Sequence, residues 1–272
     1  KQGTPTMGGL IFILSSVTAT LLMTRVDRAL LVVLFGFLSF AAIGMIDDYI
    51  KVVLKRPLGL RAGQKLAMQL TAAGGMIVLA IELGVMPGAL YIPYIRDYVE
   101  LGKWLIPFSI FVTVASVNSV NLTDGLDGLA AGTMVVVSGF FSLVSWHLEL
   151  TEIAWFAGAL SGACLGFLVF NIYPARVFMG DTGSLALGGA LASIAIMTNM
   201  TLLLPIVGGI YVMETMSVII QVTGFKMTGR RIFKMSPLHH HFELSGWSET
   251  RVVTIFWGIT VVLSLAGILG IP

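Results

Sequence analysis

The chain has 272 residues, 57% of them hydrophobic and only 11% charged, and its mean hydropathy is +0.95. Soluble globular domains carry about 25% charged residues, so this composition excludes an ordinary water-soluble fold and predicts an integral membrane protein. The net charge of +2 gives no indication of a nucleic-acid partner, and the single Cys164 excludes an intramolecular disulfide and a cysteine-based zinc site.

Nine apolar stretches follow one another along the chain. A membrane-spanning helix needs about 20 apolar residues to cross a hydrocarbon core of about 30 Å. The nine candidates cover residues 8–24, 29–46, 65–86, 104–120, 129–147, 153–171, 184–199, 201–222 and 252–271. The sequence therefore predicts an all-α, polytopic transmembrane helical bundle that forms a single domain over residues 1–272.

The distribution of lysine and arginine predicts the orientation of these spans. If the N-terminal segment is cytoplasmic and the spans alternate, 12 of the 16 basic residues lie on the cytoplasmic side and four lie outside. This excess agrees with the positive-inside rule. The same orientation brings a set of acids and three consecutive histidines to the cytoplasmic face: Asp47, Asp48, Asp124, Asp127, Asp181, His239, His240 and His241.

Two adjacent acids follow the second span. Neighbouring residues on a helix point about 100° apart, so Asp47 and Asp48 are expected to have different partners, one a metal ion and the other a second substrate. Lys51 lies one turn further along and shares their surface. The alternative interpretation is a charged helix end that anchors the membrane interface.

A second acidic pair lies in the segment 121–128, which contains no basic residue. Asp124 and Asp127 have i, i+3 spacing, and two uncompensated acids at a membrane surface indicate a bound ligand. Gly125 and Gly128 would let that ligand approach the backbone. The alternative is an acidic N-cap for the span that follows.

The segment 171–184 ends one helix at Pro174 and begins the next near Gly180. Asp181 either caps this new helix or binds a ligand. Phe178, three residues earlier, favours a nucleobase that stacks beside its own magnesium pyrophosphate. Because the phosphate-loop pattern GxxxxGK[ST] is absent, Mg²⁺ held by carboxylates would carry the phosphates.

The remaining polar signals lie near the C-terminus. The imidazoles of residues 239–241 would orient phosphate oxygens or stabilise developing charge, and the alternative is a solvated polar loop. Glu214 lies inside an apolar span, where an isolated charge costs at least about 2.5 kcal/mol, so we expect it to face the protein interior, at a helix break.

Small residues recur at four-residue intervals in the sixth span, at Gly158, Gly162 and Gly166. This spacing is typical of close helix packing. A homodimer contact is the alternative interpretation.

The sequence resembles the polyprenyl-phosphate N-acetylhexosamine-1-phosphate transferases over its whole length. The PLHHHFE motif is typical of the branch that uses phospho-N-acetylmuramoyl-pentapeptide rather than N-acetylglucosamine 1-phosphate. This family has ten spans, so a first helix is expected upstream of Lys1. The motifs that carry the resemblance are KQGTPTMGG (1–9), IDDYIK (46–51), NLTDGLDGLA (121–130), NIYPARVFMGDTGSLALGG (171–189) and PLHHHFE (237–243).

The resemblance implies an enzyme of peptidoglycan synthesis in the bacterial inner membrane. It would transfer phospho-N-acetylmuramoyl-pentapeptide from UDP-MurNAc-pentapeptide to undecaprenyl phosphate, with Mg²⁺ as cofactor, giving lipid I and UMP at the cytoplasmic face. Nucleoside antibiotics are the inhibitors expected of such a family. Direct attack by the lipid phosphate and a covalent aspartyl-phosphate step both remain open.

The resemblance also implies roles for individual residues. Asp181 looks like the Mg²⁺ ligand, and Asp47, with Asp48 beside it, looks like the group that faces the lipid phosphate as base or orienting group. The implied active-site histidines are His239 and His240. The implied substrate contacts are Phe178 stacked on uracil, Asn171, Asp124 and Asp127 in the nucleoside pocket, and Lys1, Thr6, Lys51 and Lys65 at phosphates or sugar.

Two other functions compete with this interpretation. A transporter would explain Glu214 and the glycine-rich spans as parts of an ion pathway. Transporters concentrate polar groups near the midplane, however, whereas here the polar groups are predicted at one surface. The second alternative is the related N-acetylglucosamine-1-phosphate transferase.

Overall fold

The computed structural model describes residues 3–272, so the predicted contact of Lys1 lies outside the described residues. A two-stranded antiparallel sheet, β1 (Leu90–Ile92) and β2 (Asp97–Val99), is followed by a 3₁₀ turn at Gly102–Trp104. The helices are α1 (Gly9–Met23), α2 (Arg28–Val52), α3 (Ala62–Glu82), α4 (Leu105–Thr123), α5 (Leu129–His147), α6 (Thr151–Asn171), α7 (Gly180–Met197), α8 (Leu204–Val207), α9 (Gly209–Thr228), α10 (Leu238–Glu243) and α11 (Glu249–Ile268).

The predicted all-α membrane bundle is confirmed. Within residues 3–272, seven helices are long and apolar enough to cross a membrane: α2, α3, α4 with its preceding 3₁₀ turn, α5, α6, α7 and α11. The other two predicted spans correspond to α1, which is apolar but has only 15 residues, and to α9. Length and composition therefore support seven full spans rather than the predicted nine.

Several helices extend beyond their predicted apolar stretches at the polar end of the bundle. Helix α2 continues past residue 46, α4 continues to Thr123, and α7 begins at Gly180. The polar side chains in these added turns have partners on neighbouring helices, so the helices do not need to end where apolar sequence ends.

The predicted span 201–222 is interrupted near Gly208 rather than at Glu214, where a helix break was expected. Helix α8 ends at Val207, and α9 runs without interruption from Gly209 to Thr228. Glu214 is fully buried, as expected, but it lies within continuous helix rather than at a break.

Helix α7 lies at the centre of the bundle, and 89% of its 18 residues are buried. Its neighbours approach so closely because glycines line the contacts. A Cβ atom added to Gly9 of α1 would overlap the backbone of Gly183, and one added to Gly44 of α2 would overlap the carbonyl oxygen of Asp181. Gly188 meets the backbone of α4 in the same way. The polar start of α7 is thereby held directly against α1 and α2.

The small-residue face of α6 is only partly used inside the chain. A Cβ atom on Gly158 would lie 3.0 Å from Ser142 Oγ of α5, whereas no described atom lies within 4 Å of a Cβ on Gly162 or Gly166. Packing between α5 and α6 therefore accounts for Gly158, and the homodimer contact stays a prediction.

Gly44→Ala is expected to destabilise the protein because its methyl group would push the start of α7 away from α2. Overpacking of this kind costs about 1–3 kcal/mol. The matched control is Gly74→Ala in α3, where no described atom lies within 4 Å of the new Cβ. Thermal unfolding midpoints in detergent should fall for the first variant only, and equal midpoints would contradict the close packing.

Candidate active site

Asp47 lies in the last two turns of α2 and is nearly inaccessible to solvent. Its Oδ1 accepts a hydrogen bond from the Leu60 backbone N–H at 2.7 Å, and its Oδ2 forms an ion pair with Lys51 on the same helix. Gly59, with φ +60°, brings the chain back over this carboxylate, and a Cβ there would lie 2.6 Å from Asp47 Oδ1. The loop between α2 and α3 thus covers one side of Asp47.

Asp48 has a different set of partners, as the 100° spacing predicts. Its Oδ1 accepts from the Asp181 N–H at 3.1 Å, and its Oδ2 accepts from the Thr182 N–H at 2.8 Å and the Thr182 hydroxyl at 2.7 Å. The first N–H groups of a helix have no partner within the helix and carry partial positive charge. Asp48 of α2 therefore caps the N-terminus of α7, although it comes from another helix.

Asp181 lies in the first turn of α7, between two lysines. Its Oδ2 is 2.9 Å from Lys51 Nζ and 2.8 Å from Lys65 Nζ. Its Oδ1 accepts a 2.9 Å hydrogen bond from the Asn121 amide, which also donates to Ser184 Oγ at 2.8 Å. The ends of four helices, α2, α3, α4 and α7, thus meet at one carboxylate.

The three aspartates form a site that fits a hard divalent cation. Asp47, Asp48 and Asp181 each offer a carboxylate oxygen, and these oxygens all lie within 4.8 Å of one another. Mg²⁺ binds oxygen ligands at about 2.1 Å and takes one or two protein carboxylates together with substrate phosphates. Because Asp48 is already engaged with α7, Asp181 and its neighbour Asp47 are the acids whose oxygens are placed to face a cation and a second substrate.

The segment before α1 runs alongside the segment before α7. The Phe178 N–H donates to the Pro5 carbonyl at 2.9 Å, and the Gly8 N–H donates to the Phe178 carbonyl at 2.8 Å. A Cβ on Gly180 would lie 2.8 Å from Thr6 Oγ1, which places Thr6 next to the acid cluster. The Phe178 side chain is partly exposed. Thr6 and Phe178 are therefore brought to the edge of the site.

Asn171 and Asp127 link the loops around the site. The side-chain Oδ1 of Asn171 accepts from the Gly128 N–H at 3.1 Å, and its side-chain Nδ2 donates to the Val177 backbone carbonyl at 2.9 Å. Asp127 Oδ2 accepts from the Ala175 N–H at 2.9 Å. Both side chains are buried, so their visible task is to join the α4–α5 loop to the α6–α7 loop, and their contact with a nucleoside stays a prediction.

The N-cap position of α5 is occupied by Gly128, with φ +81°, rather than by Asp124 or Asp127. The role of these two acids stays a prediction. Asp124 follows the last residue of α4 and is partly buried.

The three histidines have three different environments. His239 is fully buried against Glu214, with His239 Nδ1 3.1 Å from Glu214 Oε1. His240 is partly exposed, and its Nδ1 lies 2.7 Å from Glu243 Oε2. His241 Nδ1 accepts from the Lys234 N–H. A Cβ on Gly125 would overlap the His239 ring, which places the histidine segment against the α4–α5 loop.

The sequence analysis did not single out two residues that hold this site together. Asn121 connects Lys65, Asp181 and Ser184, and the NLTDG motif that begins with it was the available signal. Glu249, at the start of α11, accepts from the Asp127 N–H at 2.7 Å. A single glutamate at a helix start is ordinary, so no sequence pattern marked it.

Comparison with known proteins gives consistent matches. The model of glycosyl transferase family 4 matches residues 30–199, and a phospho-N-acetylmuramoyl-pentapeptide-transferase signature matches residues 1–13. The transferase of that name from Thermoanaerobacter sp. (strain X514) is 50% identical over 262 residues, which cover 96% of this chain and 82% of the relative. The transferase of the same name from Clostridium kluyveri is 48% identical over 272 residues, which cover 100% of this chain and 86% of the relative. The one from Bacillus licheniformis is 50% identical over 274 residues, which cover 98% of this chain and 84% of the relative.

Asp48→Asn is expected to destabilise the protein, because the amide would place a donor against the N–H groups that begin α7. Leaving a buried donor without a partner costs about 1–3 kcal/mol. Asp47→Asn is the matched control, since its remaining carbonyl oxygen still accepts from Leu60. Thermal unfolding in detergent should separate the two variants, and an unchanged midpoint for Asp48→Asn would refute its role as a cap.

Proposed function

The chain belongs to the family of phospho-N-acetylmuramoyl-pentapeptide transferases, and on that premise we propose that it catalyses the reaction of that name. Phospho-N-acetylmuramoyl-pentapeptide passes from UDP-MurNAc-pentapeptide to undecaprenyl phosphate, giving lipid I and UMP. The observation that carries the proposal is the cluster of three carboxylates and two lysines at one end of a membrane bundle. Such a cluster suits a reaction between two phosphate-bearing substrates.

In this reaction, an oxygen of the lipid phosphate attacks the β-phosphorus of the UDP-sugar, and the bond to the α-phosphate oxygen breaks to release UMP. Asp181 would hold Mg²⁺, which when bound offsets the charge of the diphosphate. Lys51 and Lys65 lie within reach of the same position and would bind phosphate oxygens.

Asp47 is placed to orient the lipid phosphate, because the α2–α3 loop and Lys51 fix its carboxylate. A phosphate monoester is mostly ionised at neutral pH, so the attacking oxygen does not require a strong base. His240, the partly exposed histidine, would donate to phosphate oxygens as charge develops on them.

We place this chemistry at the cytoplasmic face of the bacterial inner membrane. The lipid substrate lies in the bilayer and the nucleotide in the cytoplasm, so a site at helix ends can reach both. The excess of basic residues on the loops at this end supports the orientation.

The direct test uses the purified chain with undecaprenyl phosphate, Mg²⁺ and radiolabelled UDP-sugars. UDP-MurNAc-pentapeptide should yield labelled lipid and UMP, whereas UDP-N-acetylglucosamine should yield neither. Product from UDP-N-acetylglucosamine alone would favour the related transferase, and no product from either donor would contradict the proposal.

Asp181→Asn should abolish most activity, because the amide keeps the shape of the side chain and loses the charge that a hard cation prefers. Added Mg²⁺ should restore part of this activity. Asp47→Asn should lower turnover without changing the dependence of the rate on Mg²⁺. The measurement is the initial rate against Mg²⁺ concentration for both variants, and identical shifts would assign both acids to the ion.

Phe178→Ala should raise the KM for UDP-MurNAc-pentapeptide by roughly tenfold, since stacking on a base contributes about 1–3 kcal/mol. The KM for undecaprenyl phosphate should barely change. Phe170→Ala, which removes an exposed aromatic side chain from α6, serves as the control. A rise in the lipid KM instead would place Phe178 in a different pocket.

A further inference from the structure

Glu214 is a buried acid for which the proposed reaction has no use. It lies in α9, its side chain is 0% exposed, and it does not belong to the aspartate cluster. A buried carboxylate without partners is strongly destabilising. The partners that Glu214 has therefore indicate what it does.

The hydrogen bonds that the Glu214 side chain accepts come from the start of α10. Its Oε2 accepts from the Leu238 N–H at 2.7 Å, and its Oε1 accepts from the His239 N–H at 3.2 Å. These N–H groups begin a helix and have no partner within it. Glu214 thus caps α10 from a separate helix, in the same way that Asp48 caps α7.

The third contact is with the His239 ring. Glu214 Oε1 lies 3.1 Å from His239 Nδ1, a close approach without the geometry of a hydrogen bond. The opposite edge of the ring packs against Gly125, which has no Cβ to obstruct it. His239 is therefore held between α9 and the α4–α5 loop.

This arrangement gives His239 and His240 different tasks. His239 is 0% exposed and offers no surface to a substrate, whereas His240 is partly exposed. Their ring centroids are 4.2 Å apart, so the position of the buried ring sets the position of the exposed one.

We propose that Glu214 is a positioning residue: its contacts with Leu238 and His239 fix α10 so that His240 is presented to the reacting phosphates. The role given to His240 rests on the proposed function. The fixing of α10 does not, and it is measured separately.

The first measurement is hydrogen–deuterium exchange of the peptide that covers residues 237–244, in wild type and in Glu214→Gln. The substitution should speed exchange there by about tenfold, because one of two accepting oxygens is lost, and exchange in α7 should not change. Unchanged exchange in 237–244 overturns the proposal. A chain that shows this change but has no transferase activity contradicts the proposed function alone.

The second measurement is a double-mutant cycle with His240→Asn. Glu214→Gln should lower kcat by about tenfold in the wild-type background with little change in the KM for the UDP-sugar, and by less than about twofold in the His240→Asn background. A merely structural role would lower activity by the same factor in both backgrounds, and that result overturns the proposal. So does full activity of Glu214→Gln.

Two further variants control the cycle. Glu82→Gln removes an exposed carboxylate at the end of α3 and should leave both measurements at wild-type values. If Glu214→Gln does not fold, as judged by size-exclusion chromatography, Glu214→Asp replaces it. That variant keeps the charge but shortens the side chain, and it should show the same coupling to His240.

Discussion

The site depends on the contact between Asp48 and the first turn of α7. Asp48 accepts three hydrogen bonds from the backbone and hydroxyl groups of residues 181 and 182. This contact fixes the height and rotation of α7 relative to α2, and Asp181 is part of the turn that it fixes. Asp47 and Asp181 belong to different helices and lie 134 positions apart in the sequence. The Asp48 contact, together with Lys51, which pairs with both acids, holds them side by side.

Glycines at the helix contacts bring α2 and α7 close enough for Asp48 to reach the first turn of α7. Gly44 lies one turn before Asp48 on α2 and faces the carbonyl oxygen of Asp181, while Gly9 faces Gly183. Larger side chains at these positions would separate the helices by more than a hydrogen bond can span. Glycine is frequent in membrane helices in general. At the polar end of this bundle, Gly44 and Gly9 allow α1, α2 and α7 to approach closely enough for the Asp48 contact.

Much of the fold was predictable, because the lengths of apolar stretches and the positions of charged residues can be read directly from the sequence. Eight of the nine predicted stretches each correspond to one helix, and 201–222 is divided between α8 and α9. Asp47, Lys51, Lys65 and Asp181 are brought together in the structure. The helix ends were less predictable, since Asp48, Asn121 and Thr182 extend helices through contacts between distant segments. Periodicity contains no information about such contacts.

The histidine segment is a second place where contacts between distant segments decide the outcome. The resemblance implies His239 and His240 as the active-site histidines, and the sequence offers no means to distinguish these two. Glu214 and Gly125 bury His239, while His240 remains partly exposed. A burial difference between neighbours on a six-residue helix depends entirely on what packs against it, so no local pattern can indicate it.

The charges at the centre of the site explain why its residues suit two anionic substrates. Two of the three carboxylates, those of Asp47 and Asp181, pair with lysine ammonium groups, and both ammonium groups contact one oxygen, Oδ2 of Asp181. In a partly buried site, such charges interact more strongly than in water. In the proposed reaction, phosphate oxygens compete for the lysines, and each contact that Lys51 or Lys65 transfers to phosphate leaves Asp181 more available to a cation. Substrate and cation would then favour each other's binding, because each compensates the charge that the other exposes.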